Sequence, residues 1–205
     1  MTSTTLVITC SPAGDRSVSR LLLDDLLTQR RTTDPDDRLV LRDLAAMGTA
    51  LPHVNGVFTQ AIFVPPPQRS AEQRLGLTLS DALVDELLAA QTLIIATPMY
   101  NLSVPSCLKA WIDHVVRPGL TFSYDGGVLR GLLAGKKAIL LCATGGVFST
   151  GTRVGEDFLV PYLRQILGFM GLTDVDVYRA EGLAQCPEEA VRAARARLAA
   201  ASGTS

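Results

Sequence analysis

No stretch of this 205-residue chain is long and apolar enough to cross a bilayer, and Met1-Thr2-Ser3-Thr4-Thr5 offers no basic region ahead of its short apolar run. Neither a membrane span nor a secretory signal peptide is therefore expected. Charge of one sign is not in excess either. Lys+Arg 19 against Asp+Glu 20 leaves a formal net charge of -1 and a pI of about 6.1, which gives no electrostatic reason to expect nucleic acid or an anionic membrane surface as partner. The four cysteines, Cys10, Cys107, Cys142 and Cys186, have no Cys-x-x-Cys spacing and fall mostly within strand or helix patterns. They read as reduced, small core residues, in keeping with a cytoplasmic protein. No Gly-x-Gly-x-x-Gly follows the first apolar run, which disfavours a Rossmann-type dehydrogenase. Internal repeats and low-complexity tracts are absent, apart from an Ala/Arg-rich final helix that reads as a solvated face over an alanine seam.

What is present is the material of a core. With 47% hydrophobic residues, residues 1–205 are expected to form a single globular domain that needs neither staples nor a metal. Strand and helix signals alternate. Leu6 to Cys10 and Leu39 to Leu41 read as strands around a leucine-faced helix from Ser19 to Arg31. Gly48 to Arg69, with Phe58, Phe63 and Pro65-Pro66-Pro67, reads as an irregular excursion. The capping-box pair Ser70 and Gln73 then opens a helix to about Ala90, with a break near Ser80. Thr92 to Thr97 shows no alternation, as in a strand buried on both faces of a parallel sheet, and Pro98 stops it. Pro105 suits a helical first turn, after which Leu108, Trp111, Ile112, Val115 and Val116 recur at helical spacing as far as Arg117-Pro118-Gly119. Lys137 to Cys142 and Val175 to Tyr178 complete five strands, and Glu156 to Gly168 and Glu188 to Ala201 supply further helices. The result is a doubly wound α/β sheet with helical crossovers.

Three strand ends carry ligand chemistry. In open parallel sheets ligands sit outside the carboxyl ends of the strands. After the first strand, Ser11 to Ser19 presents hydroxyls and backbone N–H groups at a helix N-terminus, where unpaired donors and the dipole favour a phosphate. Ser11, Ser17 and Ser19 are the candidate ligands, although serines there also serve as plain helix caps. After the third strand, Pro98-Met99-Tyr100-Asn101 sets an aromatic ring beside an amide, which suits a planar, hydrogen-bonding ligand. After the fourth, Gly145-Gly146 lets the main chain approach a flat ring without Cβ interference.

Together these loops resemble the FMN-dependent NADH azoreductases of the flavodoxin-like NAD(P)H:quinone oxidoreductase group. The resemblance spans nearly the whole chain. It is carried by Pro98 to Asn101, by Leu108-Lys109 with Asp113, by Gly119-Leu120-Thr121-Phe122-Ser123-Tyr124, by Gly135-Lys136-Lys137-Ala138, and by Pro161-Tyr162-Leu163 with Leu167-Gly168-Phe169. It implies a flavodoxin-like five-stranded parallel sheet of order 2-1-3-4-5 with helices on both faces. It implies FMN contacts at Ser11, Ser17, Val18, Ser19, Pro98, Met99, Tyr100, Asn101, Leu102, Ala143, Thr144, Gly145 and Gly146, and no metal. It further implies a homodimer with the flavin site at the interface. Phe122, Tyr124 and the Tyr162 to Phe169 segment would then wall the acceptor site or the subunit contact, with Phe169 the more suited to core or interface. The chain departs from the family at Ala143 and Thr144, where a serine and a polar or basic residue are frequent, and at Val18, where glutamine is common. The Gly48 to Arg69 excursion matches poorly, so acceptor preference does not follow from the resemblance.

The implied chemistry is two-electron transfer through the flavin, from NADH or NADPH to a quinone, azo or related acceptor, with ping-pong kinetics. The flavin supplies the reactivity and the protein supplies orientation and electrostatics. The candidate pocket residues are Asn101, Phe122 and Tyr124, and no side chain stands out as a dedicated acid. His53 and His114 read as surface or interface histidines. Two other classes stay open. Cys10 with Arg16 and Ser17 satisfies the Cys-x5-Arg-Ser pattern of low-molecular-weight tyrosine phosphatases, in which a thiolate attacks phosphorus. The one Asp-Pro, Asp34-Pro35, falls on the wrong side of the sheet to be its acid. A flavodoxin-type electron carrier fits the fold, but such carriers are usually shorter and strongly acidic.

Overall fold

The central strands are apolar on both faces because both faces are covered. In the computed structural model, which describes residues 3–46 and 50–202, β1 (Thr4–Thr9), β3 (Thr92–Pro98) and β6 (Lys137–Ala143) form the middle of a five-stranded sheet ordered β2-β1-β3-β6-β7. β2 (Arg38–Asp43) and β7 (Asp174–Ala180) are its edges, and every neighbouring pair is parallel. One face buries Leu6, Ile8, Leu93, Ile95 and Leu140 against α3 (Ala71–Ala89), α4 (Ser106–Val115) and α5 (Val160–Phe169). The other buries Val7, Ile94, Ile139 and Leu141 against Leu22 and Leu26 of α1 (Val18–Thr33) and Ala194 and Leu198 of α6 (Pro187–Ser202). Each of these leucine, isoleucine and valine side chains contributes about 1.5–3 kcal/mol by leaving water. The alanine seam of α6 lies on the core side, and its Arg195 on the outer face pairs with Asp25 at 2.7 Å.

The predicted order 2-1-3-4-5 matches this sheet, since the two remaining strands lie outside it. β4 (Phe122–Asp125) and β5 (Val128–Gly131) form an antiparallel hairpin. Its turn residues Gly126 and Gly127 have φ of 57° and 84°, a conformation that glycine adopts without strain. Phe122 and Tyr124 therefore stand on a strand.

Other expectations need correction. α3 runs unbroken through Ser80, whose buried hydroxyl donates to the His114 carbonyl at 2.6 Å and so takes its hydrogen bond outside its own helix. α5 begins at Val160 rather than Glu156, because the Asp157 carboxylate accepts from the amides of Leu159 and Val160 at 3.0 and 3.1 Å and starts the helix there. The excursion is not wholly irregular. It contains α2 (Gly56–Ala61), capped by Asn55, and a single 3-10 turn at Pro66–Gln68; Gly48 and Thr49 lie outside the described residues. His114 is buried, edge-on to Phe58 at 5.4 Å with Nε2 2.9 Å from the Pro52 carbonyl, whereas His53 is exposed. Of the cysteines only Cys10 and Cys142 are core residues; Cys107 is half-buried and Cys186 exposed.

Candidate functional site

Strand register brings the three predicted loops to one sheet edge. Thr9 pairs with Ala96, and Pro98 with Ala143, so the loops after β1, β3 and β6 leave from adjacent strands about 4.8 Å apart. At the first, Ser17 caps α1 by accepting from the Arg20 amide at 3.3 Å. Its hydroxyl lies 3.2 Å from that of Ser19, and both are buried. Ser11, also buried, accepts from the Ala13 amide at 3.3 Å. Val18 is the first residue of α1, whose leading amides have no intrahelical acceptor and whose first turn has no acidic residue. This is a donor-rich helix start suited to an anion.

The second loop is a tight reversal. After the Met99 amide bonds the Ala143 carbonyl at 2.9 Å, Tyr100 and Ser103 pair backbone to backbone. Between them Asn101 and Leu102 have φ of 48° and 68°, and among the described residues no other non-glycine residue has positive φ. Leucine in this region costs about 1–2 kcal/mol, and strain of this sort concentrates at functional sites. The turn is held from outside by the Phe158 amide on the Leu102 carbonyl at 3.0 Å and by the Ser103 hydroxyl on the Phe158 carbonyl at 3.2 Å. Beside it opens a cavity of about 520 Å³ lined by Tyr100, Asn101, Ser103, Val104, Ser106, Lys109 and Tyr162. Lys109 pairs with Asp113 at 2.6 Å. Burial pushes the Tyr162 phenol up, with Lys109 acting against it and Asp113 adding to it.

In the third loop, Ala143 ends β6 and is buried, and the Thr144 hydroxyl turns inward to donate to the Gly146 carbonyl at 2.7 Å. The reason for glycine differs between the two positions. A Cβ on Gly145 meets only Ala184 at 3.7 Å, but one on Gly146 falls 2.6 Å from Arg153 Nη1 and 3.2 Å from the Phe148 ring. Gly146 thus makes room for the Arg153 guanidinium, which lies 4.4 Å over the Phe148 ring.

An ion cluster that sequence reasoning missed holds this loop. Arg179 on β7 bonds Asp157 at 2.6 Å and Glu181 at 3.3 Å, and all three side chains are largely buried. Glu181 accepts from the amides of Phe148 and Ser149 at 2.9 and 3.0 Å, while Asp157 starts α5. One arginine therefore ties the glycine loop to the helix carrying Tyr162. Its partners lie 22 and 2 residues away, spacings that no local pattern flags.

Phe122 and Tyr124 do not line the cavity. Phe122 packs on Phe169 at 4.7 Å, about 10 Å along α5 from Tyr162 at 1.5 Å per residue, and Tyr124 is 63% exposed. The arrangement also speaks against phosphatase chemistry. Cys10 is wholly buried and burial pushes its thiol well up, with the neighbouring Cys107 adding to the rise, while Arg16 is exposed. A thiolate nucleophile needs the opposite environment. Among the described residues no group of His, Cys, Asp or Glu is placed to hold a metal, and no helix is long and apolar enough to cross a membrane.

Residues 3–202 match the family described as having a flavodoxin-like fold. The chain is 45% identical over 199 residues to a protein of Agrobacterium fabrum named FMN-dependent NADH:quinone oxidoreductase, covering 96% of each. It is 47% identical over 172 residues to one of the same name from Acidobacterium capsulatum, covering 83% of this chain and 82% of that one. Among solved structures it is similar to an azoreductase from Bacillus anthracis str. Sterne, with a TM-score of 0.89 and 27% identity over 98% of both chains.

Proposed function

Because the chain belongs to the flavodoxin-like fold family, among the FMN-dependent NADH:quinone oxidoreductases and azoreductases, we propose that it transfers two electrons from NADH or NADPH to a quinone, azo or related acceptor through bound FMN. The observation that carries this reading is the strained Asn101-Leu102 turn, set at one sheet edge between a serine-lined helix start and a glycine loop.

The residues present fit the cofactor. The Ser11, Ser17 and Ser19 hydroxyls and the first amides of α1, with Val18 leading, would hold the phosphate. Pro98, Met99, Tyr100, Asn101 and Leu102 would hold one edge of the ring, and Ala143, Thr144, Gly145 and Gly146 the other. Thr144 acts by shaping the loop, since its hydroxyl is already bonded to Gly146. Bound FMN supplies hydride acceptance and delivery. The chain contributes position and field: the Asn101 amide and the Gly145-Gly146 N–H groups would meet negative charge as it develops at the ring edge. Tyr100, Lys109 and Tyr162 would shape the volume that donor and acceptor occupy in turn, which makes the kinetics ping-pong.

In this reading residues 1–205 are one FMN-binding domain, the protein is cytoplasmic, and it acts as a homodimer with the site at the interface. Exposed apolar residues on the hairpin and near the turn, among them Tyr124, Val128, Leu129 and Phe158, support a subunit contact there. Stopped-flow mixing of flavin-loaded protein with NADH or NADPH tests the assignment. Bleaching of the flavin absorbance by either is expected. Reduction by neither would favour a flavodoxin-type carrier.

A further inference from the structure

The contact between Gly146 and Arg153 puts a cation directly behind the glycine loop. Arg153 is the only basic residue from Ala143 to Asp157. The chain turns at Gly151, with φ of 77°, into a 3-10 turn at Gly151–Glu156, and this return lays the guanidinium back over the loop. It rests 4.4 Å over the ring of Phe148, which is buried. Its Nη1 stands 2.6 Å from where a Cβ on Gly146 would lie. Adding one carbon–carbon bond of about 1.5 Å places the charge within about 4 Å of the Gly146 Cα.

One corner of this guanidinium is left for the loop. Nε and Nη2 both donate to the same Glu156 oxygen, at 2.9 and 2.7 Å, whereas Nη1 has no hydrogen-bond partner among the described residues. The carboxylate therefore sits on the opposite edge of the fork, and the pair is a dipole whose positive end is at Gly146. The other charges nearby are met where they stand. Glu181 accepts from the Phe148 and Ser149 amides and from Arg179, and Asp157 from Arg179 and the amides of Leu159 and Val160. Thr144 has its hydroxyl on the Gly146 carbonyl. Arg153, which stays protonated at every working pH, is the cation this loop carries at its glycine pair.

We propose that Arg153 raises the reduction potential of bound FMN by stabilising, from behind Gly146, the negative charge that reduction adds to the ring. This rests on the reading that the loops after β1, β3 and β6 hold FMN, and it assigns that site a residue that sets its driving force. A fixed cation lowers the energy of reduced FMN more than that of oxidised FMN. By linkage, reduced FMN then binds more tightly than it would without Arg153, and the potential rises by the same factor. Because it acts across the Gly146 main chain, Arg153 is a positioning residue and not a catalytic one. Glu156 is its counterweight: removing that carboxylate leaves the cation unopposed and strengthens its effect.

The test is an anaerobic redox titration of FMN-loaded protein against a reference dye, for the parent and for Arg153→Met, Arg153→Lys and Glu156→Gln. In Arg153→Met the potential is expected to fall, equivalent to reduced FMN losing on the order of tenfold in affinity relative to oxidised FMN. Arg153→Lys should keep most of the parent potential, and Glu156→Gln should raise it. Opposite shifts in the two charge-removing variants are what a mere disturbance of the loop does not produce. An unchanged potential in Arg153→Met that still holds FMN would overturn the proposal, and so would a fall in Glu156→Gln as large as that in Arg153→Met. Should Arg153→Met fail to retain FMN, Glu156→Gln decides alone, since an unchanged or lower potential there contradicts the assignment. A parent protein that binds no FMN would instead overturn the site itself, a failure seen before any variant is compared.

Discussion

Tyr100 and Ser103 exchange both of their backbone hydrogen bonds, each 3.0 Å, and so close a two-residue reversal directly after β3. The geometry forces Asn101 and Leu102 to positive φ. Asparagine tolerates this region because its short amide bonds locally, whereas leucine does not. Asn101→Leu is expected to lose the amide at the ring edge and to add about 1–2 kcal/mol of backbone strain. Flavin content after purification and the melting temperature should both fall. Undiminished flavin content in a folded variant would remove Asn101 from the site.

Gly146→Val is expected to drive the Arg153 guanidinium off the Phe148 ring and to reshape the loop, lowering flavin occupancy. The double variant Gly146→Val/Arg153→Ala separates two causes. If the collision with Arg153 dominates, the double variant should regain part of the lost melting temperature. If the Phe148 ring, at 3.2 Å from the added Cβ, is the obstacle, it should regain none.

Arg179→Met leaves Asp157 and Glu181 without their shared cation. Breaking a buried pair from one side costs about 3–5 kcal/mol, and here the loss falls on the loop holding Gly145 and Gly146 and on the start of α5. A large drop in melting temperature and weaker FMN retention are expected, with Arg179→Lys recovering part of each. Unchanged stability in Arg179→Met, followed by thermal melting, would show that the cluster does not hold the loop.

Acid sensitivity should have an identifiable source far from the site. Burial opposes the charge on Asp37, but hydrogen bonds from Thr5 at 2.6 Å, Ser3 at 2.8 Å and Arg30 at 3.1 Å outweigh it and hold its carboxyl below the usual range. A carboxylate lowered on folding stabilises above its unfolded pKa of about 3.9, and that stability is lost as pH falls through the folded value. Asp37→Asn should therefore melt lower than the parent near neutral pH. The difference should shrink below about pH 4, which melting curves across that range would reveal.

Much of this architecture was legible in the chain itself. The unalternating run from Thr92 to Thr97 reported a strand covered on both faces, the doubly wound sheet followed from strand-helix alternation, and the strand order followed from the resemblance. The hairpin escaped although Asp125-Gly126-Gly127 carries the dipeptide signal for it, because its strands are only four residues long. The start of α5 was misplaced because Asp157, which holds the amides of Leu159 and Val160 just ahead of the helix, reads in the sequence as one more helical residue. At the site, composition and position located the three loops. The Arg179 cluster stayed hidden because ion pairs between distant segments leave no periodicity, and the tie between Gly146 and Arg153 depends on a loop path that no spacing encodes.

The central claim is that three strand-end loops form one FMN site. Titrating flavin-stripped protein with FMN, with flavin fluorescence as the readout, tests it most directly. Saturable quenching that weakens in Asn101→Leu and in Gly146→Val is the predicted result. Unquenched fluorescence with excess FMN, in protein shown by circular dichroism to be folded, would contradict it.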